Sequence, residues 1–316
     1  MDELKLNLEP LLYWVEEREK IRKRKLGLIP KVLYDPTSKN PITAILDILT
    51  LDPILQKYRF TNVRRKDDRV SQWLLKNTLK LIEGFKGEVF DDGLAFTALC
   101  RWVNWPPTIK LLMNNWKIDQ NGRILWESLI PVLESKEPRT LNGSTKVWTG
   151  AYMIRADRTK SKATYVIEEV IQRGFIPFIP ELKEAAKTKS KHEVWSVLCK
   201  GYSWGSFMSG QVVDDWSWSS FLKDPIDQFT WAPQGPGSIR GLNRLLNLPL
   251  KTRHSEEQFC MYLQEARSKI ISELGSEFED LTLMDVQNQF CECDKYLRVK
   301  NGEGRPRSQY RPETAY

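Results

Sequence analysis

Apolar residues recur at helical spacing along most of this chain and almost nowhere at a spacing of two, so its core has to be built from packed helices. Leu11, Leu12, Trp14, Val15, Arg18 and Ile21 form one stripe, starting after Pro10 and stopping near Gly27 and Pro30. Val70, Trp73, Leu74, Leu81 and Ile82 form another over 67–85, with Asp67 or Asp68 available as its cap. Further helices are expected over 91–103, 106–116, 122–134, 160–173, 190–200, 205–216, 254–274 and 281–299. Residues 31–50 read as an insert: a turn-rich piece, Asp35-Pro36-Thr37-Ser38, then a short apolar helix from Ile42 to Leu51. Linkers fall at 134–146, 187–191 and 223–234, and no internal repeat stands out. The class is all-α.

With 316 residues, 41% of them hydrophobic and 12 of them Trp, the chain can bury a sizeable core. It is expected as a single helical unit over 1–316, divisible into lobes of about 1–145 and 146–290, with a basic tail from 294 to 316. No apolar run reaches the roughly 18 residues of a membrane span, and the acidic start from Met1 to Glu9 lacks a signal-peptide shape. Five Cys at irregular spacing, with no CxxC pair, argue against a zinc ribbon or iron–sulfur loop. They fit a reduced, cytoplasmic protein with no metal and no cofactor. Gly143-Ser144-Thr145-Lys146 lacks phosphate-loop spacing, which disfavours kinase work by this chain alone. There is no HExxH, and His192 and His254 are the two histidines; His254, beside Ser255 at a helix start, suits a capping role better than catalysis.

The net charge is +7, and the excess is clustered. Arg18, Lys20, Arg22, Lys23, Arg24 and Lys25 stand against Glu19 alone. Lys295, Arg298, Lys300, Arg305, Arg307 and Arg311 stand against Asp294 and Glu303. Such clusters neutralise phosphates and release counterions; the alternative is a solvated helix face and a loose tail.

Four segments carry candidate chemistry. Residues 52–70 gather arginines, aromatics and the adjacent Asp67 and Asp68. Arg59, Asn62, Arg64, Arg65 and Arg69 are candidates to bind phosphate, since arginine forks grip it bidentately; a salt-bridge network is the alternative. Gly235-Pro236-Gly237-Ser238, with Arg240 and Arg244 on one face of the helix behind it, fits the hairpin of helix-hairpin-helix DNA binders. Residues 201–218 combine Tyr202, Trp204 and Phe207, which can stack on a base, with Asp214 and Asp215 at a helix end, where carboxylates oppose the dipole. For the aromatics ordinary core is the commoner reading; for the aspartates the alternatives are a partner cation or a solvated pair. Residues 291–307 end a helix at Gly302 and lead into a Gly/Pro/Arg tail; Asp294 and Arg298 are spaced to pair across one turn, and Lys295, Arg298, Arg305 and Arg307 are further phosphate or DNA ligands.

The runs at 52–70, 235–244 and 293–308, together with Val147-Trp148-Thr149-Gly150-Ala151-Tyr152-Met153-Ile154, resemble the alpha-glutamyl/putrescinyl thymine pyrophosphorylase group. That group takes in phage amino acid:DNA transferases and the helical domain of 5-hydroxymethyluracil DNA kinases. The likeness covers nearly the whole chain and departs at 31–50. It implies a helical fold similar to helix-hairpin-helix DNA glycosylases, in the cytoplasm of a host cell if the chain is phage-encoded. It also implies action on double-stranded DNA carrying modified thymine. A separate kinase phosphorylates 5-hydroxymethyluracil, and the transferase replaces that phosphate with a small amine or amino acid. Under this reading Arg64, Arg65 and Arg69 steady the leaving phosphate, and Asp214, Asp215 or Asp68 accepts the amine's proton. No Asp occurs in 241–261, where a glycosylase would carry one about 20 residues after its hairpin, so base excision is not implied.

Overall fold

The structure is a computed structural model and describes residues 5–34, 46–84, 87–140, 143–150, 154 and 159–306. The chain opens with α1 (Glu9–Lys25), an antiparallel ribbon of β1 (Val32–Tyr34) and β2 (Leu46–Ile48), and α2 (Pro53–Lys57). Its middle holds α3 (Arg69–Asn77), α4 (Lys80–Gly84), α5 (Gly87–Val103), α6 (Pro106–Asn115), α7 (Ile130–Glu134), α8 (Lys162–Thr164), α9 (Ile179–Lys187), α10 (Lys191–Leu198) and α11 (Ser206–Trp216). It closes with α12 (Pro236–Leu245), α13 (Glu256–Leu274) and α14 (Leu283–Lys300). Apart from the ribbon the described elements are helical. The short helix expected from Ile42 to Leu51 is replaced where it is described: 46–48 pairs as a strand, because an apolar run this short carries no period that separates the two states. The Asp35-Pro36-Thr37-Ser38 turn lies outside the described residues.

Internal contacts divide the chain into two units, one of 1–68 with 234–314 and one centred on 69–233. The division falls at 68/69 and 233/234 and not near 145. The first unit is discontinuous, built from residues that precede and residues that follow the second.

In the first unit α14 is the hub, with Leu283, Val286, Phe290 and Cys293 fully buried. Helix α12 lies on it at very short range. A Cβ at Gly237 would stand 2.3 Å from Cys291 Sγ, and one at Gly241 would stand 2.1 Å from the Phe290 carbonyl oxygen. The second obstacle is backbone and cannot swing away. Gly241→Ala is therefore expected to force the helices apart and destabilise by about 1–3 kcal/mol or more, readable as a lowered denaturation midpoint with unchanged slope. Asp52 caps α2 by accepting from the N–H groups of Ile54 and Leu55, while Pro53 fills the first helical position. The same carboxylate accepts the Tyr13 and Tyr296 hydroxyls at 2.9 and 2.7 Å, tying α2 to α1 and α14.

In the second unit α5 is buried on nearly every side from Asp92 to Val103, as a helix at the centre of a bundle must be. The helix expected over 160–173 begins as α8 and continues as a π-helix, Tyr165–Arg173. The expected 67–85 helix breaks at Thr78, whose hydroxyl bonds back to the Leu74 carbonyl. No hairpin forms around Gly235-Pro236-Gly237: residues 217–235 are non-helical, so α12 has no helix directly before it.

Candidate active site

Residues 58–64 of the first unit run as an extended strap whose Tyr58, Phe60 and Val63 are buried, and a 3-10 turn, Arg65–Asp67, follows it. Such a strap has no ladder to satisfy its backbone, so side chains of α1 and α14 do so. Arg18 donates through Nε to the Thr61 carbonyl at 2.8 Å and through Nη2 to Asn62 Oδ1 at 2.9 Å. Gln289 donates to the Val63 carbonyl at 2.8 Å, and its own oxygen accepts Trp14 Nε1–H at 2.8 Å. Glu292 accepts the Thr61 N–H at 3.0 Å and pairs with Lys295 at 2.6 Å. The Lys295 ammonium lies 4.6 Å over the Phe60 ring.

Asp68 follows that turn. It is half-buried; its Oδ1 accepts the Asn62 N–H at 2.8 Å, and no ion pair within 4 Å engages it among the described residues. Burial pushes its carboxyl up to about 6, with Glu292 adding repulsion, against the pull of the Asn62 N–H, Arg18 and Arg65. A carboxylate in that range is ionised at neutral pH and still a competent proton acceptor.

The other carboxylates singled out in the sequence are engaged. Asp214 is buried against the equally buried Lys191 at 2.5 Å. Asp215 is buried in a bidentate pair with Arg101 at 2.5 and 2.6 Å. The partner cation is what answers the helix-end cost, and neither Asp turns to solvent. Both belong to the second unit, and Asp68 to the first. Asp294 is buried and held by Arg240 and Arg244 at 2.9 and 2.8 Å, so it does not pair with Arg298.

The arginines sort by surroundings. Arg64 grips Asp280 at 2.7 Å and the Glu277 carbonyl. Arg65 is buried, so its side chain is not presented to a phosphate outside, and its backbone N–H donates to Asp285 at 2.8 Å. The Asn62 amide accepts from Arg18 Nη2 at 2.9 Å and donates to the Asp67 carbonyl at 2.8 Å. Arg59 and Arg69 are exposed, at the strap and just beyond it. Arg298 is partly buried, with no hydrogen bond to Nε. Arg305 is exposed, and Arg307 lies outside the described residues.

The DNA-hairpin assignment fails on burial. Gly237 and Ser238 are inside, against Cys291 and Gln287, and Gly235 N–H bonds to Ser238 Oγ at 3.1 Å. These glycines let α12 approach α14 rather than a phosphate. Arg240 keeps an exposed edge, whereas Arg244 is clamped by Asp294 and Glu303. Trp204 is also corrected: it is buried against Trp102 and Phe175, and its N–H donates to the Val170 carbonyl at 3.0 Å. Tyr202 and Phe207 remain exposed. At α13 the cap is Ser255; His254 instead contacts Asn243 Oδ1 at 2.6 Å.

Several participants were not singled out as site residues: Arg18, Glu292, Lys191, Arg101 and Asp227, which holds the N–H groups of Lys191 and His192. The legible signal was a charge inside an apolar stripe, as at Arg18 between Val15 and Ile21 and at Arg101 between Cys100 and Trp102. No group of three or more His, Cys, Asp or Glu that could hold a metal ion occurs among the described residues, and no described helix is long and apolar enough to cross a membrane.

Over residues 7–305 the chain matches the family model described as 5-hmdU DNA kinase, helical domain. No curated protein and no solved structure matches it.

Proposed function

The chain belongs to the family of 5-hmdU DNA kinase helical domains, and from that premise we propose that it is a transferase acting on thymine-derived bases in DNA. Its substrate is 5-phosphomethyl-deoxyuridine in double-stranded DNA, made by a separate kinase. It replaces the phosphate with an amine-bearing group, an amino acid or a polyamine. The observation that carries this reading is Asp68: a partly buried carboxylate, raised by that burial to about 6, in the run whose sequence supports the family resemblance. The amine attacks the 5-methylene carbon, the C–N bond forms as the C–O bond breaks, and inorganic phosphate leaves with the bonding pair. Asp68 first holds the ammonium form by charge and then takes its proton. Arg59, an exposed member of the arginine set, with Lys295 and Arg298 of the same unit, is assigned to the phosphate.

The description of the family favours one second reading, in which the chain is the helical component of a 5-hydroxymethyluracil kinase whose nucleotide site lies elsewhere. Incubating phosphomethyl-DNA with the protein and a mixed amine pool, then digesting to nucleosides for mass spectrometry, separates the two. The transferase reading expects an amine-bearing nucleoside without added nucleotide; an unchanged nucleoside pool with every amine contradicts it.

A further inference from the structure

Tyr202 is 48% exposed at the tip of the turn between α10 and α11. A lone exposed tyrosine would be unremarkable on a surface, but this turn is specialised at several positions. Ser203 adopts φ +68°, the left-handed region that a residue with a Cβ seldom visits. Its hydroxyl is bonded to that of Tyr165, at the start of the π-helix. At the far end of that helix Gly174 meets the turn backbone to backbone. A Cβ at Gly174 would stand 2.2 Å from the Tyr202 carbonyl oxygen, and one at Gly201 would stand 2.0 Å from the Gly174 carbonyl oxygen. Both glycines are thus required for the contact. π-Helical turns and strained residues gather where function demands a particular geometry.

What the turn presents is a ring with a cation on it. Arg173, the last residue of the π-helix, lays its guanidinium 4.5 Å from the Tyr202 ring centroid while its side chain stays 65% exposed. It is steadied by Glu169, which accepts from Arg173 Nη1 at 3.0 Å and is itself held by Lys160 at 2.5 Å.

We propose that Tyr202 and Arg173 form a stacking site for an unpaired nucleobase of DNA. The inference rests on the reading that the chain works on DNA. A base is planar and adds to a ring–guanidinium stack, and its phosphate meets the outward edge of the cation. An apolar protein surface fits worse, because it would strip water from the guanidinium without answering its charge. The site therefore takes single-stranded DNA, or a duplex with a displaced base, in preference to intact duplex.

The test is fluorescence anisotropy on a short single strand, on the matching duplex with one unpaired base, and on the fully paired duplex. Tyr202→Ala is expected to bind the first two about 5- to 150-fold more weakly, the worth of one stacked base, and the paired duplex nearly as wild type does. Tyr202→Phe keeps the ring and is expected to bind as wild type. Arg173→Gln is expected to lower the single-strand salt slope by roughly 0.7. If Tyr202→Ala binds all three DNAs as wild type does, or if Tyr202→Phe is as weak as the alanine variant, the stacking site is overturned while DNA action stands. If the wild-type protein binds none of the DNAs, both readings fall together.

Discussion

Asp68→Asn is expected to lower amine transfer by at least about 10²-fold, the scale of a lost general base, while the protein stays folded. The rate of the wild-type enzyme should rise as pH passes upward through about 6, as the carboxyl ionises, and the residual rate of the variant should lack that limb. Stability should move the other way. Because the folded-state pKa lies above the unfolded one, the native protein binds more protons between about 4 and 6. The desolvated carboxylate thus costs stability above pH 6, and that cost disappears as pH falls toward 4. Asn carries no such charge, and its amide oxygen can still accept the Asn62 N–H, so the variant should be no less stable than wild type at pH 7. A variant that loses activity because it melts at lower temperature would instead make Asp68 a structural residue.

Asp215→Ala is expected to act in the opposite sense, through stability. Removing it leaves the Arg101 guanidinium buried without the two short hydrogen bonds that now answer its charge. Breaking a buried pair from one side costs about 3–5 kcal/mol, a large part of what a domain of this size has to lose. The double variant Arg101→Met with Asp215→Leu removes both charges at similar volume and should recover most of that loss. Denaturant melts of the three proteins decide the matter. If Asp215→Ala melts like wild type but no longer transfers the amine, Asp215 is the base and Asp68 is not.

The helices were legible because their cause is local: stripes of large apolar residues at helical spacing and a stop at Gly27, although the cap of α13 is Ser255 and not His254. Helix α9 was not, since Ile179-Pro180 resembles a break although Pro is accommodated in a helix's first turn. The discontinuous first unit was also invisible, because nothing local to 52–70 announces that it will be bound by α14, more than 200 residues later. For the same reason Asp68, Asp214 and Asp215 looked alike: a carboxylate's role depends on which cation the fold brings to it. Lys191 and Arg101 pair with Asp214 and Asp215, whereas Asp68 is partly buried and accepts the Asn62 N–H. Gly235-Pro236-Gly237-Ser238 was read as a surface for DNA because glycine signals a close backbone approach. The approach is real, but what comes close is α14.

The most direct measurement follows phosphate and amine together. Phosphomethyl-DNA is incubated with the protein and a nitrogen-15-labelled amine, with no nucleotide present, and both inorganic phosphate and labelled nucleoside are followed over time. One labelled nucleoside for each phosphate released, in the wild-type protein and not in Asp68→Asn, is the predicted result. Phosphate release without label, or no turnover of this substrate with any amine, would contradict the assignment of this chain as the transferase.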